Sequence, residues 1–495
     1  MDLTKTTLPW SQPILDSQRT YEESSDAIVP DTYPDIQRIC AAYGCAQLKD
    51  DAPQSGRLLI SGAITVTVLY TSDGGVLRRM TIPISFAHIE ECSDISESSP
   101  VFVNCQVVST SAQITNSRKL SVSAILSVRC TVFSQQELSL TSGVASSDTE
   151  WELLSSTYTL TLPYAVQRQE FTIMDDLEQP DIRRFQDLFA PCCDLRMTEC
   201  QILGEKAVLK GECILHLLGL TQEQEVDHLD CSLPFTQIFD APSFTDHHPL
   251  GVRFSLRHLD VERLDETQLS IGIGINILLT AFATHTVPAI EDIYHLTYPV
   301  HVDTQSLALS STHPVNDLAC EGTETIPAGM RIVSVADARA ALDTILYEEN
   351  RTVLRLMVCV LYRSDDKEYY TLSRAVHMPL HLPDGITTAQ VTGILCRASA
   401  AISGETSVVL SLSGRCSLLC EETLHIRDIT ALELDTTAQP EPLPVSLILR
   451  CVEPEERLWD IAKHYHTTVD AIRQANQISE ENHRAASHML LIPLR

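Results

Sequence analysis

The chain has 495 residues, 44% of them hydrophobic, and a mean hydropathy of +0.02, enough apolar material for several packed cores and roughly three or four domains. Its 66 Asp and Glu against 35 Lys and Arg leave a net charge of −31, which argues against nucleic acid and anionic membrane surfaces as partners. No basic and apolar leader opens the sequence, and the longest apolar run, Ile271 to Phe282, is too short to span a bilayer and carries Asn276, so the expectation is a cytosolic chain without a transmembrane segment.

Residues 1–28 are expected to form an N-terminal lead-in. Beyond it the dominant pattern is alternation at period two, as in Ala63 to Tyr70 and Leu120 to Val128, which is the signature of half-buried strands. Turns such as Ser72-Asp73-Gly74-Gly75 separate them. The recurrence predicts a mainly β fold of antiparallel sheets packed as sandwiches, with few helices.

Features then recur in order. Pro34-Asp35-Ile36-Gln37-Arg38 returns as Pro180-Asp181-Ile182-Arg183-Arg184, and each precedes a strand carrying glycine, around Gly62 and then Gly211. Phe86 after Ile82-Pro83 has its counterpart in Phe235 after Leu233-Pro234. A weaker third copy keeps Val353 to Tyr362, Met378-Pro379-Leu380 and Ser407 to Cys416. Tandem β repeats over 29–150, 151–288 and 289–436 follow from this self-similarity. Pro440, Pro442 and Pro444 mark a stiff linker over 437–446.

The segment 447–495 changes character. An apolar strand, Leu447 to Val452, leads to Leu458, Ile461, Ala462 and Tyr465 at helical spacing, then to Val469, Ile472 and Ala475, and closes on Leu490-Leu491-Ile492-Pro493: a small βααβ module. From Arg450 onward six Lys and Arg face seven Asp and Glu, so the acidity resides in the body before it.

No catalytic constellation is present: there is no phosphate loop, no H-E-x-x-H and no G-x-S-x-G. Gly272-Ile273-Gly274 lies within an alternating strand, and Asp175-Asp176 reads as a solvated turn. The 16 cysteines are scattered through strand-like runs and read as reduced, buried small hydrophobes. The nearest clusters, Cys40 with Cys45, Cys192 with Cys193 and Cys416 with Cys420, lack metal-site spacing. His247-His248 and His464 with His466 lack a third ligand. No enzyme activity, cofactor or metal is expected.

The terminal module resembles a LysM domain. Its turn reads Glu455-Glu456-Arg457 where sugar-binding LysM domains carry Gly-Asp-Thr, while Asn476-Gln477-Ile478-Ser479 keeps the pattern and Ala486-Ser487-His488 replaces the glycine before the last strand. Two long acidic side chains crowd a place where glycine lets the backbone approach a ligand. Val29-Pro30-Asp31-Thr32-Tyr33-Pro34-Asp35-Ile36, the Gly62 to Tyr70 strand and Asn116-Ser117-Arg118-Lys119-Leu120 resemble the SPOCS domain. The order of SPOCS-type repeats followed by LysM is similar to the spore coat morphogenetic proteins of the SipL-like and, more loosely, SpoVID-like group. That resemblance implies a morphogenetic scaffold in the mother cell of a sporulating bacterium, at the forespore surface, whose LysM domain contacts a SpoIVA-like spore coat ATPase and whose repeats meet other coat proteins. It implies a partner-binding surface at Glu455, Glu456, Leu458, Trp459, Ile461, Asn476, Gln477 and Ile478. The alternative is a peptidoglycan or N-acetylglucosamine-binding protein of the cell wall or spore cortex.

Overall fold

The computed structural model describes residues 2–146, 148–348, 351–382, 388–438, 445–453, 456–479 and 489–494. The first part of the chain contains β1 (Leu3–Ile28), β2 (Ile36–Asp50), the short β3 (Pro53–Gln54), β4 (Arg57–Ser72), β5 (Leu77–Glu91), β6 (Val101–Asn116) and β7 (Lys119–Val144). They form two antiparallel sheets, β1-β7-β6 and β2-β4-β5 with β3 beside β4. Alternate residues of both sheets, among them Ile60, Ile64, Val66, Val103, Leu126 and Val128, bury a common core. This is the sandwich that period-two alternation predicts.

The same arrangement follows twice more. β8 (Trp151–Glu178), a 3-10 turn at Pro180–Arg184, β9 (Phe185–Leu203), β10 (Lys206–Thr221), β11 (Val226–Asp240), β12 (Leu250–Arg263) and β13 (Gln268–His295) pair as β8-β13-β12 and β9-β10-β11. Then β14 (Val300–Pro327), β15 (Ile332–Glu348), β16 (Arg351–Ser364), β17 (Tyr369–Leu380), β18 (Thr388–Ser403) and β19 (Ser407–Leu434) pair as β14-β19-β18 and β15-β16-β17. Residues 1–28 are therefore no separate lead-in: β1 pairs with β7 from Leu3 opposite Val144 to Ile28 opposite Lys119, and supplies the first strand of its unit. The expected boundary at 288/289 falls inside β13, because that strand stays paired with β8 as far as His295 opposite Trp151. The run Ile271 to Phe282 lies in the same strand, with Asn276 buried and its Oδ1 accepting from Arg168 Nε at 3.2 Å.

The repeated strings gain a mechanical meaning. Arg118, at the β6–β7 turn, donates to the carbonyls of Tyr33 (2.7 Å), Val29 (3.1 Å) and Pro30 (3.0 Å), and to Asp35 Oδ1 (3.0 Å). The backbone N–H groups of Val29 and Ile36 donate to the carbonyls of Arg118 and Ser117. One guanidinium thus staples the whole Val-Pro-Asp to Pro-Asp-Ile crossing, which has no sheet partner of its own. Pro83, Pro234 and Pro379 each sit in the edge strand of their sheet, in β5, β11 and β17, where a missing N–H discourages pairing with another chain.

The long strands hold the units together. β6 covers β7 only as far as Val132, β12 covers β13 only as far as Ala281, and among the described residues β18 covers β19 only as far as Glu421. Beyond those points the strands continue as two-stranded ribbons, which cannot bury both faces alone. The three ribbons solve this jointly: Leu138, Leu140, Leu160, Leu162, Val287, Ala289, Leu309 and Ile426 form one shared core. Buried polar groups at this junction are paired across units, with Thr141 N donating to Asp428 Oδ1 (2.8 Å) and Thr161 N to Ser311 Oγ (2.9 Å). The other three sheets meet in a second shared core around Tyr43, Leu69, Phe189, Leu218, Leu361 and Tyr369. Arg253 of β12 bonds Thr131 Oγ1 on β7 (2.8 Å) and Gln390 Oε1 on β18 (2.7 Å), so a single side chain touches all three units.

The last element group is β20 (Leu447–Cys451), α1 (Leu458–His464), α2 (Val469–Asn476) and β21 (Met489–Pro493), with β20 and β21 antiparallel. Thr468 Oγ1 accepts from Ala471 N at 3.0 Å and caps α2. Gln477 takes the left-handed conformation that ends it (φ 54°). The expected linker prolines lie outside the described residues.

Candidate functional site

The βααβ module packs its own core from Leu458, Ile461, Ala462, Ile472, Leu490 and Ile492, all at 0% exposure. Leu458 and Ile461, two of the expected contact residues, thus support the module from inside and present no surface. Asn476 is half-buried and fully engaged: Nδ2 donates to the carbonyls of Ile472 (2.7 Å) and Leu491 (2.6 Å), and Oδ1 accepts from Leu491 N (2.7 Å). It fastens α2 to β21. Ile478 is half-buried against the same core, and Glu456, also half-buried, accepts from Arg450 at 2.7 Å. Gln477 is exposed, whereas Glu455 and Ala486-Ser487-His488 lie outside the described residues. On the outward face of the hairpin, Leu447, Leu449 and Met489 are about half exposed (51, 57 and 51%).

Trp459, expected on the partner-binding surface, is covered by a neighbour within the chain. It is 7% exposed, and its indole forms a T-shaped pair with Tyr294 in β13, ring centroids 4.9 Å apart. Its Nε1 donates to Asp292 Oδ2 at 2.8 Å, and Lys463 Nζ donates to both oxygens of the same carboxylate (2.7 and 2.8 Å). Burial alone would raise the Asp292 carboxyl, but Lys463 and the Trp459 indole outweigh it and hold it below the usual range. Tyr294 Oη donates to Thr467 O at 2.7 Å, and the His466 ring donates from Nδ1 to His295 O at 3.2 Å. The module is seated on the ribbon end of the second unit.

Beside that seat, Asp148, Glu150 and His295 bring their ligand atoms within 4.8 Å of one another. His295 Nδ1 accepts from the backbone N–H groups of Thr297 and Tyr298, both at 3.1 Å. The proton of the neutral ring is therefore on Nε2, which donates to Asp148 Oδ2 at 3.0 Å. A metal needs that nitrogen bare and the other one protonated toward an acceptor, so the donor set is wired for a hydrogen bond and does not fit an ion. Elsewhere burial pushes the thiols up, Cys45 and Cys359 to about 11 and Cys105, Cys192 and Cys396 to about 12; they are poor nucleophiles.

A cavity of about 350 Å³ between the second and third units is lined by Asp194, His216, Asp230, Arg339 and Arg397. His216 on β10 bridges the flanking strands, with Nδ1 2.8 Å from Asp230 and Nε2 3.2 Å from Asp194. Burial would push this imidazole down, yet the two carboxylates outweigh it and hold it at about 9. A folded-state value above the ordinary 6.5 contributes stability that is complete below pH 6.5 and lost as pH rises through about 9. The urea midpoint of the parent chain should therefore fall across that window, and that of His216→Gln should fall less. Parallel curves would show that the bridge contributes nothing to folding.

Two family models match. The SipL, SPOCS domain covers residues 35–115, from the Pro-Asp-Ile string into β6, and the LysM domain covers 452–482, which takes in α1 and α2. The chain carries a SPOCS domain and a LysM domain. The SPOCS match ends within the first unit, so the second and third units stand beside it through their shared strand order. No curated protein and no solved structure matches the chain. SPOCS and LysM are non-catalytic domain families, and together they mark a sporulation-related chain with a module of the glycan-binding LysM type. No helix among the described residues is long and apolar enough to cross a membrane.

Proposed function

We propose that this chain is a non-enzymatic assembly factor of the spore coat, acting in the mother cell at the forespore surface. The three interlocked units serve as a rigid scaffold, and the LysM domain docks on a SpoIVA-like coat ATPase. The observation that supports a protein partner over a sugar is the state of the module itself: Trp459 is turned inward against Tyr294, and Asn476 is spent on backbone bonds. An aromatic that stacks on a sugar presents its open face. The half-exposed Leu447, Leu449 and Met489 give the hairpin an apolar outward face, which suits a protein surface.

Membership of the LysM family favours the second reading, attachment to peptidoglycan. The two separate in one experiment. The full chain is offered purified SpoIVA-like protein and insoluble peptidoglycan in parallel, and retention of the protein is the expected result. Retention on peptidoglycan alone would put the glycan reading first.

A further inference from the structure

Trp459 and Lys463 stand four residues apart on α1 and so share one helix face. It is not the face that builds the module. The fully buried α1 residues of the domain's core are Leu458, Ile461 and Ala462, and Trp459 lies where Tyr294 and Leu296 of the second unit join that core. Asp292 follows a register slip in the β8–β13 ladder at Ile290/Asp292, where a bulge re-aims a side chain. Its carboxylate accepts both Lys463 and the Trp459 indole, while Tyr294, next but one along the strand, packs its ring against the indole in a T-shaped pair. Tyr294 Oη on Thr467 O closes the far side.

We propose that the α1 face of the LysM domain is a recognition surface for a carboxylate flanked by an aromatic ring, and that Asp292 and Tyr294 occupy it in cis as a latch. The partner it fits is a coat-protein segment presenting an acidic residue beside a Tyr, Phe or Trp. The inference deepens the docking reading and rests on it. An indole N–H and an ammonium converging on one carboxylate, with a second aromatic ring T-shaped to the indole, are recognition elements for that pair. A ligand that competes with an internal copy binds in proportion to the open fraction, so a module open one part in ten loses about tenfold in apparent affinity.

The test uses the full chain carrying Trp10→Phe and Trp151→Phe, so that Trp459 is the single tryptophan, with and without Asp292→Asn plus Tyr294→Ala. Acrylamide quenching of Trp459 is expected to rise severalfold in the released variant. A synthetic peptide with the sequence of residues 289–297 should then protect the indole again, and the same peptide with Asn in place of its Asp should not. Retention of the purified SpoIVA-like protein should improve about tenfold on release. Equal quenching in both chains would overturn the latch. Quenching that rises without protection by the peptide would overturn the recognition chemistry. Peptide protection with no retention of the SpoIVA-like protein by either chain would leave the surface standing and sink the docking reading. Peptide protection with equal retention by both chains would show that the partner docks elsewhere, overturning the surface as its site.

Discussion

Replacing Asp51 by Ala is expected to lower the stability of the chain by about 3–5 kcal/mol, the range for removing one partner from a buried ion pair. Asp51 follows β2 in the first unit and is 3% exposed. Its Oδ1 accepts from Arg168 Nη2 on β8 (2.7 Å) and Arg257 Nη1 on β12 (3.1 Å), both in the second unit. Arg168 also reaches Asn276, and Arg257 the carbonyl of Lys49 (3.1 Å). Without Asp51 these two guanidiniums keep a single carboxylate, that of Glu170, whose side chain is 45% exposed. Two cations brought together in a poorly hydrated joint repel each other, and neither can turn to water without breaking its remaining bonds. Glu170→Gln is the control: its exposed carboxylate should be worth about 1 kcal/mol or less. The shift in midpoint of the first urea transition reads both variants. Equal losses would mean that the joint is held by its apolar contacts and that the ion cluster only decorates it.

What the sequence disclosed follows from how far apart the interacting residues lie. Alternation in Ala63 to Tyr70 needs only neighbours along one strand, and those residues fall in β4; burial alternates only from Ala63 to Val66, because from Thr67 to Tyr70 both faces are covered, Leu69 by the core shared with the other units. The outer halves of the long hairpins leave no such trace. β1 reads Leu-Thr-Lys-Thr-Thr-Leu-Pro-Trp, with one face polar and exposed, and its partner β7 lies at the far end of the unit. Beyond Ala281 β13 has β8 on one side only, so Pro288 interrupts no second ladder and the strand runs through the expected boundary at 288/289. Trp459 is a case of the same kind. Its position in α1 identifies a buried or a binding residue equally well. What decides it is Tyr294, whose sequence carries no sign that a module will sit there. The LysM pattern and the SPOCS strings were legible because each is local.

Gly62→Ala and Gly211→Ala are each expected to cost about 3 kcal/mol, the upper end for overpacking a well-filled site. Gly62 lies opposite Phe86 and Gly211 opposite Phe235 in their strand ladders, and both rings are nearly buried, at 4% and 7% exposure. A Cβ at Gly62 would stand 2.2 Å from Gln47 O and 2.5 Å from Phe86 Cζ, and one at Gly211 would stand 2.3 Å from Phe235 Cζ and 2.7 Å from Arg196 O. The ring covers the glycine, so the glycine's lost contacts are supplied by its neighbour. This pair, rather than the proline near it, is what the first two units share: Pro83 is opposite Thr65, three positions from Gly62, whereas Pro234 is opposite Glu212, next to Gly211. The third unit solves the place differently, with Met378 buried opposite Leu354 and lying against Gly322 of β14. A Cβ at Gly322 would meet Met378 Cγ at 3.3 Å, and a thioether chain can swing aside, so Gly322→Ala should cost only about 1 kcal/mol. Urea unfolding of the three variants orders them, and a Gly62 variant as mild as the Gly322 variant would refute the argument. Phe86→Leu should not rescue Gly62→Ala, because the backbone oxygen of Gln47 cannot step away without taking the β2–β4 ladder with it.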